Sequence, residues 1–220
     1  MQSRSPMLCV KEAYMQITSF KQRVCNAIIQ GAFEYKRMFL DYEYLIYSSG
    51  FINQSYYLIN ALLTNYLHLT GVNTLLSTYD FYNMSLNGTL TESDFDFIKP
   101  KKSEKSVKGS VRQKIQSLLL MPSLFSSKLI AEEDFAKKSI ICSLATTDNT
   151  ITMGFVSDID IKPKTLLLGN ELNKTKSVDV ELVLRRNKGE DGFSTILQGD
   201  ITNFCNSFPG IFICEKEWQN

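Results

Sequence analysis

The sequence Asn-Tyr-Leu-His-Leu-Thr-Gly at Asn65–Gly71 contains the only histidine of the 220-residue chain. Histidine titrates close to neutral pH, so it is the side chain best suited to move a proton under physiological conditions. An aromatic-rich, strand-like run precedes this stretch, and a Phe-Tyr-x-x-x-Leu-Asn-Gly element at 81–88 follows it. This setting makes His68 a candidate catalytic residue; the alternative is a structural histidine packed between two leucines.

The residues before this stretch predict helices and then a hairpin. Apolar residues recur at three- and four-residue steps over 10–30, which predicts an amphipathic helix that stops at Gly31, and a second helical piece extends to about Leu40. Aromatic-rich runs at 42–49 and 51–60 flank a Ser-Gly turn and predict a β-hairpin. We expect His68 and Thr70 to leave directly from its second strand.

The residues after the stretch predict short helices and then mostly strands. The first patterns indicate a helix at 77–86 capped by Ser77, a helical turn from Thr91 and a helix ending near Pro122. A hairpin at 140–155, an alternating half-buried strand at 178–184 and a strand at 193–197 follow. A last helix is capped by Asp200. Helices followed by antiparallel strands indicate an α+β fold.

Composition excludes several kinds of site. Lys and Arg total 24 against 23 Asp and Glu, so a nucleic-acid site would have to come from a local patch. The five cysteines lack C-x-x-C spacing, and we interpret them as reduced, mostly buried thiols: Cys9, Cys25, Cys142, Cys205 and Cys214. With one histidine and no cysteine cluster, neither a metal nor a cofactor is expected.

The sequence favours a soluble, cytoplasmic protein. No run approaches the ~20 apolar residues that span a bilayer, and residues 1–6 are not followed by the apolar segment of a signal peptide. The oligomeric state stays open, because the periodicity of the N-terminal helix fits packing on its own domain and formation of a homodimer equally.

One segment, residues 99–114, concentrates positive charge. Its only acidic residue is Glu104, and its basic residues are Lys99, Lys101, Lys102, Lys105, Lys108, Arg112 and Lys114. One interpretation is an exposed, mobile loop before a helix. The other is a lip that attracts phosphate groups.

Metal-free RNA cleavage is the chemistry that requires the fewest special residues, because the attacking group is the 2′-hydroxyl of the RNA itself. The enzyme must supply a base, an acid and positive charge around the phosphate. The predicted catalytic residues are His68, Thr70, Arg185 and Ser194, and the predicted substrate-binding residues are Arg186, Lys188, Thr195 and Lys114. Each has a structural alternative, such as turn formation, the solvated end of an edge strand, or simple strand propensity.

Two segments, 65–72 and 81–90, resemble a nuclease-like family of phages and mobile elements of Gram-positive bacteria. Its members carry an aromatic-x-His-Leu-Thr-Gly segment, a Phe-Tyr helix ending in Leu-Asn-Gly, a Leu-Leu element (here 165–169) and a strand that ends in basic residues (here 178–188). The family is placed in the barnase–EndoU–colicin–RelE superfamily of metal-independent ribonucleases. The resemblance covers residues 42–197 and is most specific around His68.

The resemblance implies N-terminal helices packed on a curved antiparallel sheet with a cleft on its exposed face. Residues 1–41 would then be an added helical segment and 42–220 the nuclease domain, unless the whole chain forms one compact domain. His68 and Thr70 match the motif of the family. Near the Leu-Leu element, where the resemblance leads us to expect a lysine, this chain has Gly169.

Two functions follow as hypotheses. The first is a ribonuclease acting as a phage or mobile-element toxin or defence effector, with RNA as substrate and an antitoxin or inhibitor as partner. The alternative is a catalytically inactive module that binds RNA or protein, such as an inhibitor of a defence system. A single histidine, for a reaction that needs both a base and an acid, supports the alternative.

Overall fold

The computed structural model describes residues 18–157 and 160–211. The helices are α1 (Phe20–Tyr35), continued by a π-helical turn (Lys36–Leu40), α2 (Tyr66–Thr70), α3 (Thr78–Leu86), α4 (Glu104–Leu120) and α5 (Thr202–Ser207), with short 3-10 turns at Leu63–Asn65, Glu92–Asp94 and Met121–Ser123. The strands are β1 (Tyr42–Tyr47), β2 (Tyr56–Ile59), β3 (Ile130–Glu133), β4 (Ala136–Lys137), β5 (Ile140–Ile141), β6 (Leu144–Thr147), β7 (Ile151–Ser157), β8 (Ile161–Leu168), β9 (Val178–Asp179), β10 (Leu182–Asn187) and β11 (Thr195–Gln198). The predicted α+β class is confirmed.

Nine of these strands form one sheet in the order β11-β10-β1-β2-β8-β7-β6-β3-β9, and β4 pairs separately with β5. Every neighbouring pair in the large sheet is antiparallel except β2 and β8. The parallel pair meets through a single residue pair, Ile59 and Ile161. Beyond Ile161 the strands diverge, and α2 and α4 contact β8 there.

The sheet curls so strongly that its two ends approach each other. β9 lies at one end of the sheet and β10 near the other, yet only Val180 and Glu181 separate them in sequence. The amide of Val180 donates to the carbonyl of Leu129 at 3.1 Å, and that of Glu181 donates to Tyr47 at 2.9 Å. The expected curved, mostly antiparallel sheet is therefore confirmed.

The main core lies between the helices and one face of the sheet. Val24 and Ile28 of α1 are fully buried there with Phe155 of β7. A second cluster on the other side of β1 and β10 includes Leu45 and Phe204. Helix α1 thus shares its core with the sheet, and the division of the chain at residue 41 stays a prediction.

The predicted helix stop at Gly31 is wrong, because α1 runs through this residue to Tyr35. A Cβ atom at Gly31 would lie 2.8 Å from the Tyr66 hydroxyl and 3.4 Å from Leu118. The glycine therefore lets α1 pack closely against α2 and α4. Residues 10–17 of the predicted helix lie outside the described residues.

The predicted hairpin of β1 and β2 is present, but the one predicted at 140–155 is present only in part, because residues 140–141 form β5, which pairs with β4. β1 pairs with β2, placing Tyr44 opposite Ile59, and β6 pairs with β7. Helix α3 begins as predicted, with the Ser77 hydroxyl accepting from the Asp80 amide at 3.0 Å, and α4 ends two residues before Pro122. The order of local elements was therefore readable from the sequence.

The predicted single strand at 178–184 is wrong. The structure divides it into β9 and β10, which pair with β3 and β1 in different parts of the sheet. β10 is also not half-buried, since Val183 faces the main core while Leu182 and Leu184 belong to the second cluster. The alternation of apolar and polar residues did not reveal that the chain passes from one end of the sheet towards the other between β9 and β10.

The charged segment is more ordered than the loop interpretation implied, because α4 begins at Glu104. The described cysteines form no disulfide: Cys25 and Cys142 are buried and Cys205 is partly exposed. Cys9, Cys214 and the sole tryptophan, Trp218, lie outside the described residues.

Candidate active site

His68 lies on the short helix α2. The segment that carries it was expected to leave directly from the second strand of the hairpin, but a 3-10 turn lies between β2 and α2. The side chain of His68 is exposed, whereas Tyr66 and Leu69 on the same helix are buried in the main core. Helix α2 ends at Gly71, whose φ of +76° is the left-handed conformation that glycine adopts readily. Two buried neighbours and a glycine stop thus hold the imidazole at the surface.

Thr70, predicted to be catalytic, is fully buried. Its hydroxyl donates to the Leu67 carbonyl at 2.8 Å and accepts from the Val72 amide at 3.4 Å. These bonds satisfy groups at the C-terminal end of α2, where carbonyls lack partners within the helix. The position of Thr70 therefore suits orientation of the helix that carries His68.

Lys114 of α4, predicted to bind substrate, lies directly at this helix end. Its ammonium group donates to the His68 backbone carbonyl at 3.1 Å and to the Thr165 hydroxyl of β8 at 3.3 Å. A Cβ atom at Gly71 would lie 2.5 Å from Lys114 Cδ. The glycine of the His-Leu-Thr-Gly motif is therefore needed twice, for its backbone angle and to leave room for the lysine.

β8 supplies the third side of the site through a β-bulge. Its register against β7 shifts between Gly154 and Phe155, which oppose Thr165 and Pro163 respectively, so Lys164 is the extra residue. The Lys164 ammonium donates to the Ile141 carbonyl at 2.9 Å.

Small and buried groups lie beneath the bulge. A Cβ atom at Gly154 would lie 2.7 Å from Cys142 Sγ and 2.8 Å from Thr165 Cγ2. Cys142 and Thr165 are 1% and 4% exposed, and burial raises the pKa of the Cys142 thiol. A glycine at position 154 therefore lets the threonine that holds Lys114 pack closely on β7.

Positive charge dominates the electrostatics of the site. Partial desolvation, followed by the nearby charges of Lys114, Lys164 and Lys99, lowers the pKa of His68 below its ordinary value of 6.5. Burial, with a further contribution from Lys99, lowers the pKa of Lys114 to about 8. Two groups that titrate on either side of neutrality thus meet at the end of α2.

These lysines form no salt bridge with a carboxylate in the described part of the chain. Clustering several unneutralised cations is unfavourable in the absence of an anion. At neutral pH the arrangement offers an unprotonated imidazole beside a protonated amine, within a field that attracts phosphate groups. That combination fits proton transfer at a phosphodiester.

The other predicted site residues lie on β10, β11 and the turn between them, where several are engaged in local contacts. Arg186 forms a salt bridge with Glu43 at 2.7 Å and stacks on Phe193. The Arg185 guanidinium lies 4.3 Å from the centre of the Tyr42 ring, and its buried Nε has no hydrogen-bond partner among the described residues.

The remaining three predicted residues in this region are also held by contacts with the backbone. Lys188 donates to the Ala61 carbonyl at 2.8 Å. Ser194 donates its amide to the Arg185 carbonyl at 3.2 Å, and Thr195 opposes Arg185 in the β10–β11 register. Both hydroxyl-bearing residues are partly exposed.

Among the described residues, none of these five forms a hydrogen bond or ring contact with His68 or with helix α2. In the order of the sheet, β1 and β2 separate β10 from β8, although Lys188 reaches the Ala61 carbonyl ahead of α2. Of the predicted set, the structure joins only Lys114 to the His68–Thr70 helix.

Sequence reasoning missed Lys164 and Thr165 as site residues and did not single out Lys99. The available signal was the pair of lysines that flank Pro163 just before an apolar run. This signal did not show whether the apolar run at 165–169 is a strand or the start of a helix. The bulge that directs Lys164 depends on the register against the partner strand, β7. Whether Lys164, two residues before Leu166, takes the place of the lysine that the resemblance led us to expect near the Leu-Leu element stays a prediction.

Residues 18–157 and 160–211 contain neither a cluster of metal ligands nor a helix suited to cross a membrane. No group of three or more His, Cys, Asp or Glu side chains is placed to hold a metal ion. None of the helices there is both long and apolar enough to cross a membrane.

The chain matches a family of known proteins. A family model described as phage-Barnase-EndoU-ColicinE5/D-RelE like nuclease4 (PBECR4) matches residues 27–204. The match begins within α1 and ends within α5, and it contains all the residues of the site described above. No curated protein and no solved structure gives a match.

Proposed function

Since the chain belongs to the phage-Barnase-EndoU-ColicinE5/D-RelE like nuclease family, we propose that it is a metal-independent endoribonuclease whose active site is formed by His68 and Lys114. The observation that carries the proposal is the hydrogen bond from the Lys114 ammonium to the helix end that bears His68. It brings together two titratable groups whose pKa values are lowered. The single histidine is therefore not the only residue available for proton transfer.

In the proposed reaction, the neutral imidazole of His68 accepts the proton of the RNA 2′-hydroxyl. The 2′-oxygen forms a bond to phosphorus, and the bond from phosphorus to the 5′-oxygen of the next nucleotide breaks. The Lys114 ammonium gives its proton to the departing 5′-oxygen. The products are a 2′,3′-cyclic phosphate and a 5′-hydroxyl, and no water or metal ion enters this step.

The lowered pKa values suit these roles. A base must be unprotonated at working pH, and lowering the pKa of His68 keeps it so. An acid transfers its proton most readily when its pKa lies near working pH, and burial brings the pKa of Lys114 to about 8. The three N–H donors of an ammonium also leave Lys114 one for the phosphate after its two bonds to the protein.

The proposal gives different weight to the residues predicted from sequence. His68 acts as the base and Lys114 as the acid. Thr70 orients α2, the helix that carries His68 and whose end binds Lys114. The residues proposed to contact more distant parts of the RNA are Arg185, Arg186, Lys188, Ser194 and Thr195. Alanine variants of these five residues test that assignment directly.

We further propose that cleavage serves phage–host or mobile-element conflict in the cytoplasm, where an antitoxin or inhibitor would restrain it. Membership of a phage-related nuclease family supports this proposal. The competing proposal is a module that binds RNA or protein without cutting it. The two differ in one observable, the appearance of new RNA ends.

Induced expression in bacteria tests the proposed function. Wild-type protein should arrest growth and produce new RNA fragments on a gel, while His68→Gln should do neither at equal protein levels. Lys174→Gln, an exposed lysine on the loop between β8 and β9, serves as a surface control and should behave as wild type. Intact RNA in cells that contain folded wild-type protein would instead favour the binding module.

A further inference from the structure

The β-bulge in β8 alters what two successive residues can reach. In a regular strand, Lys164 and Thr165 would point to opposite faces of the sheet. The extra residue of a bulge breaks this alternation, and bulges near active sites often re-aim a side chain. Here Thr165 bonds to the Lys114 ammonium, while Lys164 bonds to the carbonyl of Ile141.

The two ammonium groups are anchored at different places. Lys114 is held on the carbonyl of His68, and Lys164 on that of Ile141, which lies on β5. Lys164 uses one of its three N–H donors for this bond, so two remain for an anion, whereas Lys114 has one. Lys164 is exposed and has no carboxylate partner among the described residues.

The setting of Lys164 suits an extended, negatively charged chain. β2 pairs with β8 only at Ile161, and beyond it no strand among the described residues pairs with this edge of β8, where Lys114 of α4 bonds to Thr165. The charge of Lys99, in the segment before α4, also contributes to the lowered pKa of His68. Cations from β8 and from the segment before α4 thus act on one site, which suits a phosphate backbone.

We propose that Lys164 binds a backbone phosphate next to the one that is cleaved, so that the substrate is an RNA chain with at least two phosphates in the site. This inference deepens the proposed ribonuclease function and rests on it for the identity of the cleaved phosphate. Lys164 is then a binding residue that sets the minimum length of the substrate. It does not touch the reacting atoms.

Substrate length provides the kinetic test. Dinucleoside monophosphates contain one phosphate, whereas tetranucleotides of matching sequence contain neighbouring ones. Both substrates are compared at a pH above the His68 transition, where loss of the Lys164 charge no longer alters the protonation of His68. There, Lys164→Gln should lower kcat/KM for the tetranucleotides roughly tenfold or more beyond its effect on the dinucleotides, as expected for loss of a charge-assisted hydrogen bond. An equal loss on both substrates, or no loss on either, would overturn the inference.

Binding to a non-cleaving protein provides a second test that does not depend on catalysis. The His68→Ala variant is titrated with a 12-nucleotide RNA of mixed sequence at several salt concentrations. Adding Lys164→Gln should reduce the slope of log K against log salt by about 0.7, the value for one lost phosphate contact on a single strand. Lys164→Arg should keep the slope, and the exposed control Lys174→Gln should not change it.

The two tests separate failure of this inference from failure of the proposed function. If wild-type protein cleaves RNA but Lys164→Gln keeps the full salt slope, the inference fails and the ribonuclease stands. If wild-type protein never cleaves RNA but Lys164→Gln lowers the slope, the ribonuclease fails and the phosphate contact stands. Thermal unfolding of each variant confirms that it is folded, which is expected for a change at an exposed side chain.

Discussion

The ammonium group of Lys114 donates a hydrogen bond to the backbone carbonyl of His68 at 3.1 Å. Two residues 46 positions apart in sequence are thereby fixed to one another through the C-terminal end of α2. A positive charge is also favourable at this end of a helix, where carbonyl groups lack partners. A change that moves the lysine should therefore disturb the histidine as well.

Gly71→Ala should lower activity strongly as well as stability. A Cβ atom would meet Lys114 Cδ at 2.5 Å, so the lysine side chain must shift, which disturbs its two hydrogen bonds. The left-handed backbone conformation at φ +76° adds roughly 1–2 kcal/mol of strain. Urea unfolding and RNA cleavage by the folded variant measure the two effects separately.

Gly88→Ala is the matched control for this prediction. Gly88 follows α3 with a similar φ of +69°, but a Cβ atom there would meet nothing within 4 Å. It should lose comparable stability and keep its activity. If both alanine variants lost the same activity, the placement of Lys114 by Gly71 would not be what matters.

The pH dependence of kcat/KM should be bell-shaped. Activity should rise as His68 loses its proton, with a midpoint below 6.5 because the pKa of His68 is lowered by partial desolvation and by neighbouring lysines. It should fall again near pH 8, because burial lowers the pKa of Lys114 to about 8 and the acid is lost above it. Initial rates on one RNA between pH 5 and pH 10 provide the profile.

The alkaline limb of this profile can be assigned with Lys114→Arg. Arginine stays protonated over the whole range, so any residual activity of this variant should no longer fall near pH 8. A retained alkaline limb would show that another group, such as a residue of the RNA, causes the decline.

Lys114→Met should lower cleavage about a hundredfold or more but should not unfold the protein. Because burial lowers the pKa of Lys114 from 10.5 to about 8, the unfolded chain binds more protons than the folded one between these values. Wild-type stability should therefore rise relative to that of Lys114→Met as pH increases from 8 to 10.5. Urea unfolding of both proteins across this window checks the sign; a constant difference would mean that Lys114 titrates normally.

Arg186→Met should act on stability and not on chemistry. Arg186 and Glu43 form a salt bridge in which the side chains are 22% and 14% exposed. Removing the arginine leaves a largely buried carboxylate unpaired, at a cost of roughly 1–3 kcal/mol. The additional change Glu43→Gln should recover much of this loss. A fall in kcat without a fall in stability would instead indicate that Arg186 acts in the active site.

The sequence predicted the parts of the fold that depend on local pattern. The hairpin formed by β1 and β2, the Ser77 cap of α3 and the end of α4 before Pro122 all follow from residues close together in the chain. The strand at 178–184 was mispredicted because its division depends on Leu129 and Tyr47, which are remote in sequence.

The site was predicted only where a motif carried it. His68 stood out as the sole histidine, and Lys114 was included within a long basic segment. Lys164 escaped notice because a bulge is a property of two paired strands, and nothing in the order of residues 161–168 reveals the register of β7. The basic residues of β10 were grouped with His68 because sequence spacing does not show that β1 and β2 separate β10 from β8 in the sheet.

The end groups of the cleaved RNA test the central claim most directly. Purified wild-type protein and His68→Ala are incubated with one RNA and with the same RNA carrying a single 2′-deoxy nucleotide at the cleavage site. We predict 2′,3′-cyclic phosphate and 5′-hydroxyl ends from the wild type alone, and no cut at the 2′-deoxy position. Undiminished cleavage by His68→Ala, or cleavage that survives removal of the 2′-hydroxyl, would contradict the account.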